Sequence, residues 1–178
     1  EEKLIIPDTQ AVSEGEARVL EQGAVAVPLV PKSEGEKVIV PRAELTLKEG
    51  YEAAGVAARE WDAEAMLVFV KSLGAVTLEG KSSSWQALFS SPRKNNAGYE
   101  VILQGKEIVS KKEVVSEAPG AAVPQNWKDL VEIIRELQQH PLYQDALVTA
   151  VSFHLNPDNK KWYYAILTTK GANTIAVE

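Results

Sequence analysis

Apolar residues recur along this chain in two rhythms. Tyr51, Ala54, Ala58 and Trp61 follow one another at spacings of three, four and three, which sets them on one face of a helix. Thr46-Leu47-Lys48-Glu49 just ahead has the form of a capping box and starts that helix at Thr46. At Met66 the period shortens. Met66 to Val70 is a run of β-formers, and Ala75 to Leu78 either extends or bends it. From Ser84 to Ser90 the chain alternates, with Trp85, Ala87 and Phe89 on one side and Gln86, Leu88 and Ser90 on the other. A polar hairpin loop over 92–98 leads to a strand at Tyr99 to Leu103 and a further one at Ile108 to Val115.

The helical rhythm then returns. Leu130, Ile133, Ile134 and Leu137 form an apolar stripe on a helix from Trp127 to about Gln139, with Asn126 as N-cap and Pro141 as the stop. Ala146 to Leu155, Trp162 to Thr169 and Thr174 to Val177 read as strands separated by turns at 156–159 and 170–173. The order of helix and strands thus occurs twice, with Trp85 standing in the first unit where Trp162 stands in the second. The expectation is an α+β fold of two α-β-β-β modules with antiparallel sheets, over 46–117 and 126–178, joined by a Pro- and Gly-containing linker at 118–125. Each module of roughly 60 residues would bury only about 60% of its unfolded surface alone, so the two should pack together.

Residues 1–45 break the rhythm. Pro7, Pro28, Pro31 and Pro41 with Gly15, Gly23 and Gly35 cut the segment into pieces too short for a long helix. It reads as an irregular N-terminal arm, with a hairpin suggested by the apolar pieces Ala24 to Val30 and Lys37 to Val40. Such an arm packs on its own domain, tethers the modules to a membrane or wall, or docks on a neighbour.

Composition narrows the function. The chain has 45% hydrophobic and 25% charged residues, ordinary for a globular protein. Its net charge is -6, and residues 1–45 carry most of that acidity, with 9 acidic against 5 basic side chains. No stripe of Lys and Arg exists to neutralise phosphates, so a nucleic-acid partner is not expected. There is no Cys, hence no disulfide, thiolate metal site or thiol nucleophile. No apolar run reaches the roughly 18 residues of a membrane span. The first residue is Glu1 and not Met, which is consistent with a removed signal peptide, lipoprotein leader or tag.

Catalytic chemistry finds little support in the side chains. The two histidines, His140 and His154, fall at a helix end and in a strand, without the carboxylate partners and repeating spacing of a metal site. Asp62 and Glu64 form a carboxylate pair near a helix end, where capping and solvation account for them. Ser82-Ser83-Ser84 lacks the elbow or basic partner of a nucleophile. No metal, cofactor or catalytic residue is therefore expected. The aromatic side chains are the better signal: Trp85, Trp162, Tyr163 and Tyr164 are candidate partner-binding residues, and the alternative for the two Trp is that they cover the helix of their own module. Tyr163 must face opposite to Trp162 and Tyr164 on its strand.

The helix followed by Gly80 to Phe89, of the form Gly-x-x-x-x-Trp-x-x-x-Phe, and by Tyr99-Glu100-Val101 resembles the PepSY domain and related secreted tandem α-β-β-β proteins, including the β-lactamase-inhibitor fold. The resemblance covers about residues 46–178. It implies an exported, non-catalytic module of the extracellular space or cell envelope that binds or inhibits a protein, often a peptidase, and it brings no catalytic residues. Two other readings stand beside it. One is a structural subunit that self-assembles through its arm. The other is a small-molecule hydrolase using Asp62, Glu64 or His154.

Overall fold

The computed structural model describes residues 43–177. The arm expected over 1–45, apart from its last three residues, and the hairpin within it lie outside the described residues.

A short strand, β1 (Leu45–Thr46), runs straight into helix α1 (Leu47–Trp61). The capping box forms as the sequence requires: Thr46 Oγ1 accepts from the Glu49 N–H, and Glu49 Oε2 accepts from the Thr46 N–H. Leu47, Gly50, Ala54, Ala57 and Ala58 form the buried face of α1. Strand β2 (Met66–Ser72) follows. After it come the two-residue β3 (Lys81–Ser82), which pairs with β1, and then β4 (Ser84–Ser91), β5 (Lys94–Gln104) and β6 (Glu107–Val115). The second helix, α2 (Leu130–Gln139), precedes β7 (Val148–Asn156), β8 (Lys161–Thr168) and β9 (Gly171–Ala176).

The expectation of two α-β-β-β modules is overturned by the sheet. Seven strands form one antiparallel sheet in the order β6-β5-β4-β2-β7-β8-β9. The strands on either side of α2 therefore belong to a single structure, and a tandem repeat of small sheets finds no support. The joint is the β2–β7 pair, where Phe69 faces His154, Val70 faces Phe153 and Lys71 faces Ser152. Ser72 Oγ extends it by accepting from the Val151 N–H at 3.0 Å. Joining the halves removes two exposed strand edges and lets two marginal cores merge.

That merged core lies between the sheet and the helices. Trp85, Val70, Phe153, Tyr164 and Ile166 from the sheet and Leu47, Ala54, Leu130 and Ile134 from the helical side belong to one buried cluster. Aromatic rings fill its centre: Phe153 stacks on Trp127 with centroids 4.4 Å apart and on Trp162 at 4.7 Å. Such pairs add about 0.5–1.5 kcal/mol beyond their area burial. Alternation along each strand places these residues on the face toward the helices.

Local differences from the sequence reading have local causes. Helix α2 starts at Leu130, and its N-cap is Asp129 with Glu132 completing the capping box, not Asn126. The three residues before it are held outside the helix because Trp127 is buried against Phe153 and the Lys128 carbonyl accepts from the Tyr164 hydroxyl. The polar loop expected over 92–98 shrinks to a tight turn after Ser91, since Lys94 to Gly98 already belongs to β5 and pairs with β4 and β6. The segment between β6 and α2 lies against β2, where Ala121 N–H donates to the Leu67 carbonyl at 3.0 Å.

Candidate binding face

Pairing registers fix which side chains share the face turned away from the helices. Leu88 opposes Phe69, Phe69 opposes His154, and His154 opposes Tyr163. These four residues come from β4, β2, β7 and β8, so they form one row across the middle of the sheet. The row above it runs Ile102, Gln86, Lys71, Ser152, Ala165 and Thr174. All of the first row are half-buried. Both described helices pack on the opposite face.

The row has an ordered polar frame. At its outer end Glu100 accepts from Gln86 and pairs with Lys112 at 3.1 Å. In the middle the Lys71 ammonium stands 5.4 Å from the centre of the Phe69 ring. At the other end His154 and Tyr163 lie side by side with centroids 6.3 Å apart, and the Tyr163 hydroxyl accepts from Asn159 Nδ2 at 2.7 Å. Tyr163 is thus held in one orientation from the turn between β7 and β8. Beside this row a shallow trough of about 270 Å³ is floored by small side chains, among them Ala150, Ser152, Ala165 and Thr174.

Of the four aromatic candidates, the structure leaves one on this face. Trp85 and Tyr164 are fully buried and Trp162 is only 4% exposed, so all three rings lie inside the core. The reason is polar as well as apolar. Trp85 Nε1–H donates to the Leu45 carbonyl, Trp162 Nε1–H to the Ala122 carbonyl and the Tyr164 hydroxyl to the Lys128 carbonyl. Each ring therefore buries its apolar body with its donor satisfied. Burial and the nearby Asp129 and Glu132 carboxylates push the Tyr164 phenol up, which keeps it a donor at all ordinary pH.

The residues considered for catalysis are scattered. Asp62 is the C-cap of α1, and its Oδ1 accepts from the Glu64 N–H. Glu64 pairs with Arg93 at 2.6 Å and raises that guanidinium's affinity for its proton. His140 caps α2, and its Nδ1 accepts from the Leu142 N–H at 3.3 Å. In the serine run, Ser82 is buried and Ser84 Oγ donates to the Leu103 carbonyl. His154 lies on the open face, with Ser152 Oγ 3.4 Å from its Nδ1. Asp62, Glu64 and His154 therefore form no common site. Among the described residues no group of three metal-ligating side chains comes together. No described helix is long and apolar enough to cross a membrane.

Phe69, Leu88 and Lys71 join the face although the sequence did not mark them as partner residues. Leu88 is legible in the alternation of 84–90. Phe69 sits in an unbroken apolar run, and a register shift between Leu67 and Phe69 decides its side.

No family model matches this chain, and no curated protein matches it. The resemblance to PepSY domains read from Gly80 to Phe89 is accordingly without a family match. Among solved structures, the crystal structure of a provisionally named lipoprotein from Clostridium difficile 630 is similar, with a TM-score of 0.44 and 13% identity over 72% of this chain and 91% of that chain. That likeness is too distant to carry a functional argument.

Proposed function

We propose that this chain is a non-catalytic binding module that engages a protein partner through the sheet face opposite its two described helices, in an exported or cell-envelope setting. The observation that carries the reading is the row Leu88, Phe69, His154 and Tyr163, contributed by four adjacent strands. Large rings on a rigid sheet offer contact area at low rotamer cost. Tyr163 is fixed before binding by Asn159, so little order remains to be gained on contact. The polar groups around the row, Lys71, Gln86 and Glu100, supply the rim that protein interfaces surround their apolar centres with.

The test is site-specific photo-crosslinking from position 163 in the full chain, with position 56 on α1 as the control, since Val56 is 55% exposed. A partner should be captured from 163 and not from 56. With that partner purified, Tyr163→Ala should weaken binding at least about tenfold, or roughly 1.4 kcal/mol. Equal capture at both positions, or an affinity that survives Tyr163→Ala, would overturn the reading.

A further inference from the structure

The two outer strands of the sheet are built differently. Strand β6 carries Glu107, Lys111, Lys112 and Glu113 among its nine residues and contains a bulge opposite Ile102 and Leu103. Charges and bulges of this kind keep a sheet edge from recruiting another strand. Strand β9, Gly-Ala-Asn-Thr-Ile-Ala, has six residues, none of them charged and none of them proline, and its pairing with β8 is regular throughout. By composition it resembles an interior strand.

The free backbone groups of β9 follow from its register. Val177 N–H donates to the Trp162 carbonyl at 2.9 Å. In an antiparallel ladder hydrogen-bonded pairs alternate with non-bonded ones. The pairs Ile175–Tyr164 and Asn173–Ile166 are therefore the bonded ones, and the N–H and C=O groups of Ala172, Thr174 and Ala176 point away from β8. Among the described residues no strand pairs with that side. Asn173 on the same strand has an enclosed side-chain Nδ2 without a partner. Bordering the strand on its helical side is a cleft of about 190 Å³, lined by Ile133, Tyr164, Ile175 and Val177 and flanked by Lys128 and Glu136.

We propose that β9 is a strand-addition site that takes an extended, uncharged segment of a partner polypeptide, with one apolar side chain entering the cleft beside α2. Strand addition draws affinity from main-chain hydrogen bonds and specificity from pockets for alternate side chains, and β9 provides both. The occupant is uncharged because β9 offers no counter-charge, and a charge buried opposite it would go unpaired. It is a linear segment because six residues span only about 20 Å at about 3.3 Å each. A stable contact between two globular copies buries about 1,200–2,000 Å², more than this edge and its cleft offer. The proposal stands on the edge of the sheet and is independent of the open face.

The experiment is a nuclear magnetic resonance titration of the full chain with an end-capped heptapeptide of alternating threonine and valine around a central leucine. Amide exchange at Ala172, Thr174 and Ala176 should be fast in the free chain and slow when the peptide is bound. Thr174→Pro removes an outward N–H without touching the β8 ladder and should weaken binding at least tenfold, whereas Thr174→Val should leave it unchanged. Should the proline variant fail to fold, Thr174→Lys, which places a charge on the edge, is expected to have the same effect. The proposal is overturned by an absence of saturable binding, by peptide shifts centred on Tyr163 and His154, or by full affinity in the Thr174→Pro and Thr174→Lys variants. It is equally overturned if those amides are already protected in the free chain. Protection independent of protein concentration would mean that another segment of this chain holds the edge, and concentration-dependent protection would mean a second copy.

Discussion

Val70 and Phe153 stand directly opposite one another in the β2–β7 pair, 83 positions apart in the chain, and both are fully buried. Through this pair and its neighbours in the β2–β7 ladder the sheet and its core continue from the α1 side to the α2 side. Phe153 also stacks on Trp127 and Trp162, so its ring touches the segment before α2 and the neighbouring strand.

Truncating that ring should destabilise the whole described body. Phe153→Ala is expected to cost about 3–5 kcal/mol, the usual range for removing a buried aromatic ring. Calorimetry should show a single unfolding transition for the wild-type described body and a single, lowered one for the variant. Two separate transitions within that body, with only one displaced, would contradict a shared core.

Tyr163 and Tyr164 are neighbours with opposite roles. Tyr164→Phe removes the buried hydroxyl that donates to the Lys128 carbonyl and should lower stability by about 1–3 kcal/mol, read as a reduced denaturant midpoint. Tyr163→Ala, on the open face, should leave the midpoint within about 1 kcal/mol of the wild type, because half-exposed positions outside the core carry small costs. The reverse order of effects would place the wrong face toward the helices.

Trp61 fastens α1 to strand β6 through a bond that titrates. Its Nε1–H donates to Glu113 Oε2 at 2.6 Å, and this bond, together with the Lys94 ammonium, lowers the Glu113 carboxyl below its ordinary value of 4.5. A carboxyl with a depressed folded-state pKa stabilises the fold above its unfolded pKa and loses that contribution as pH falls through the folded value. Acidification below about pH 4.5 should therefore loosen the end of α1, seen as a change in tryptophan emission that Trp61→Phe abolishes. Glu113→Gln should remove that step, and an unchanged acid limb in this variant would show that Glu113 is not its source.

Gly120 marks a close backbone approach. A Cβ built there would lie 2.5 Å from the Met66 carbonyl oxygen and 2.7 Å from Ser90 Oγ, so the segment before α2 could not keep its place against β2. Gly120→Ala should cost about 1–3 kcal/mol, as overpacking does. Faster amide exchange at Ala121, which bonds the Leu67 carbonyl, would be the accompanying sign. An alanine variant as stable as the wild type, with Ala121 still protected, would refute the close approach.

The sequence by itself determined those elements whose causes are local. The Thr46–Glu49 capping box, the α2 stripe of Leu130, Ile133 and Ile134, and the alternation from Trp85 to Phe89 each act within a few residues, and the structure contains all three. Alternation also forced Tyr163 onto the face opposite Trp162 and Tyr164. Tertiary structure decided how the strands were shared out. Nothing in either half specifies that β2 pairs with β7, since strand pairing over 80 positions depends on which edges remain when the rest has formed, and joining them buries two edges and unites two cores that would be marginal apart. The same long-range packing drew Trp85, Trp162 and Tyr164 inside by giving each polar tip a distant carbonyl, and it held Trp127 out of its helix by stacking it on Phe153. The face of Phe69 was settled by a one-residue register shift, and the outward groups of β9 by its pairing with β8, relationships that exist only between strands already in place.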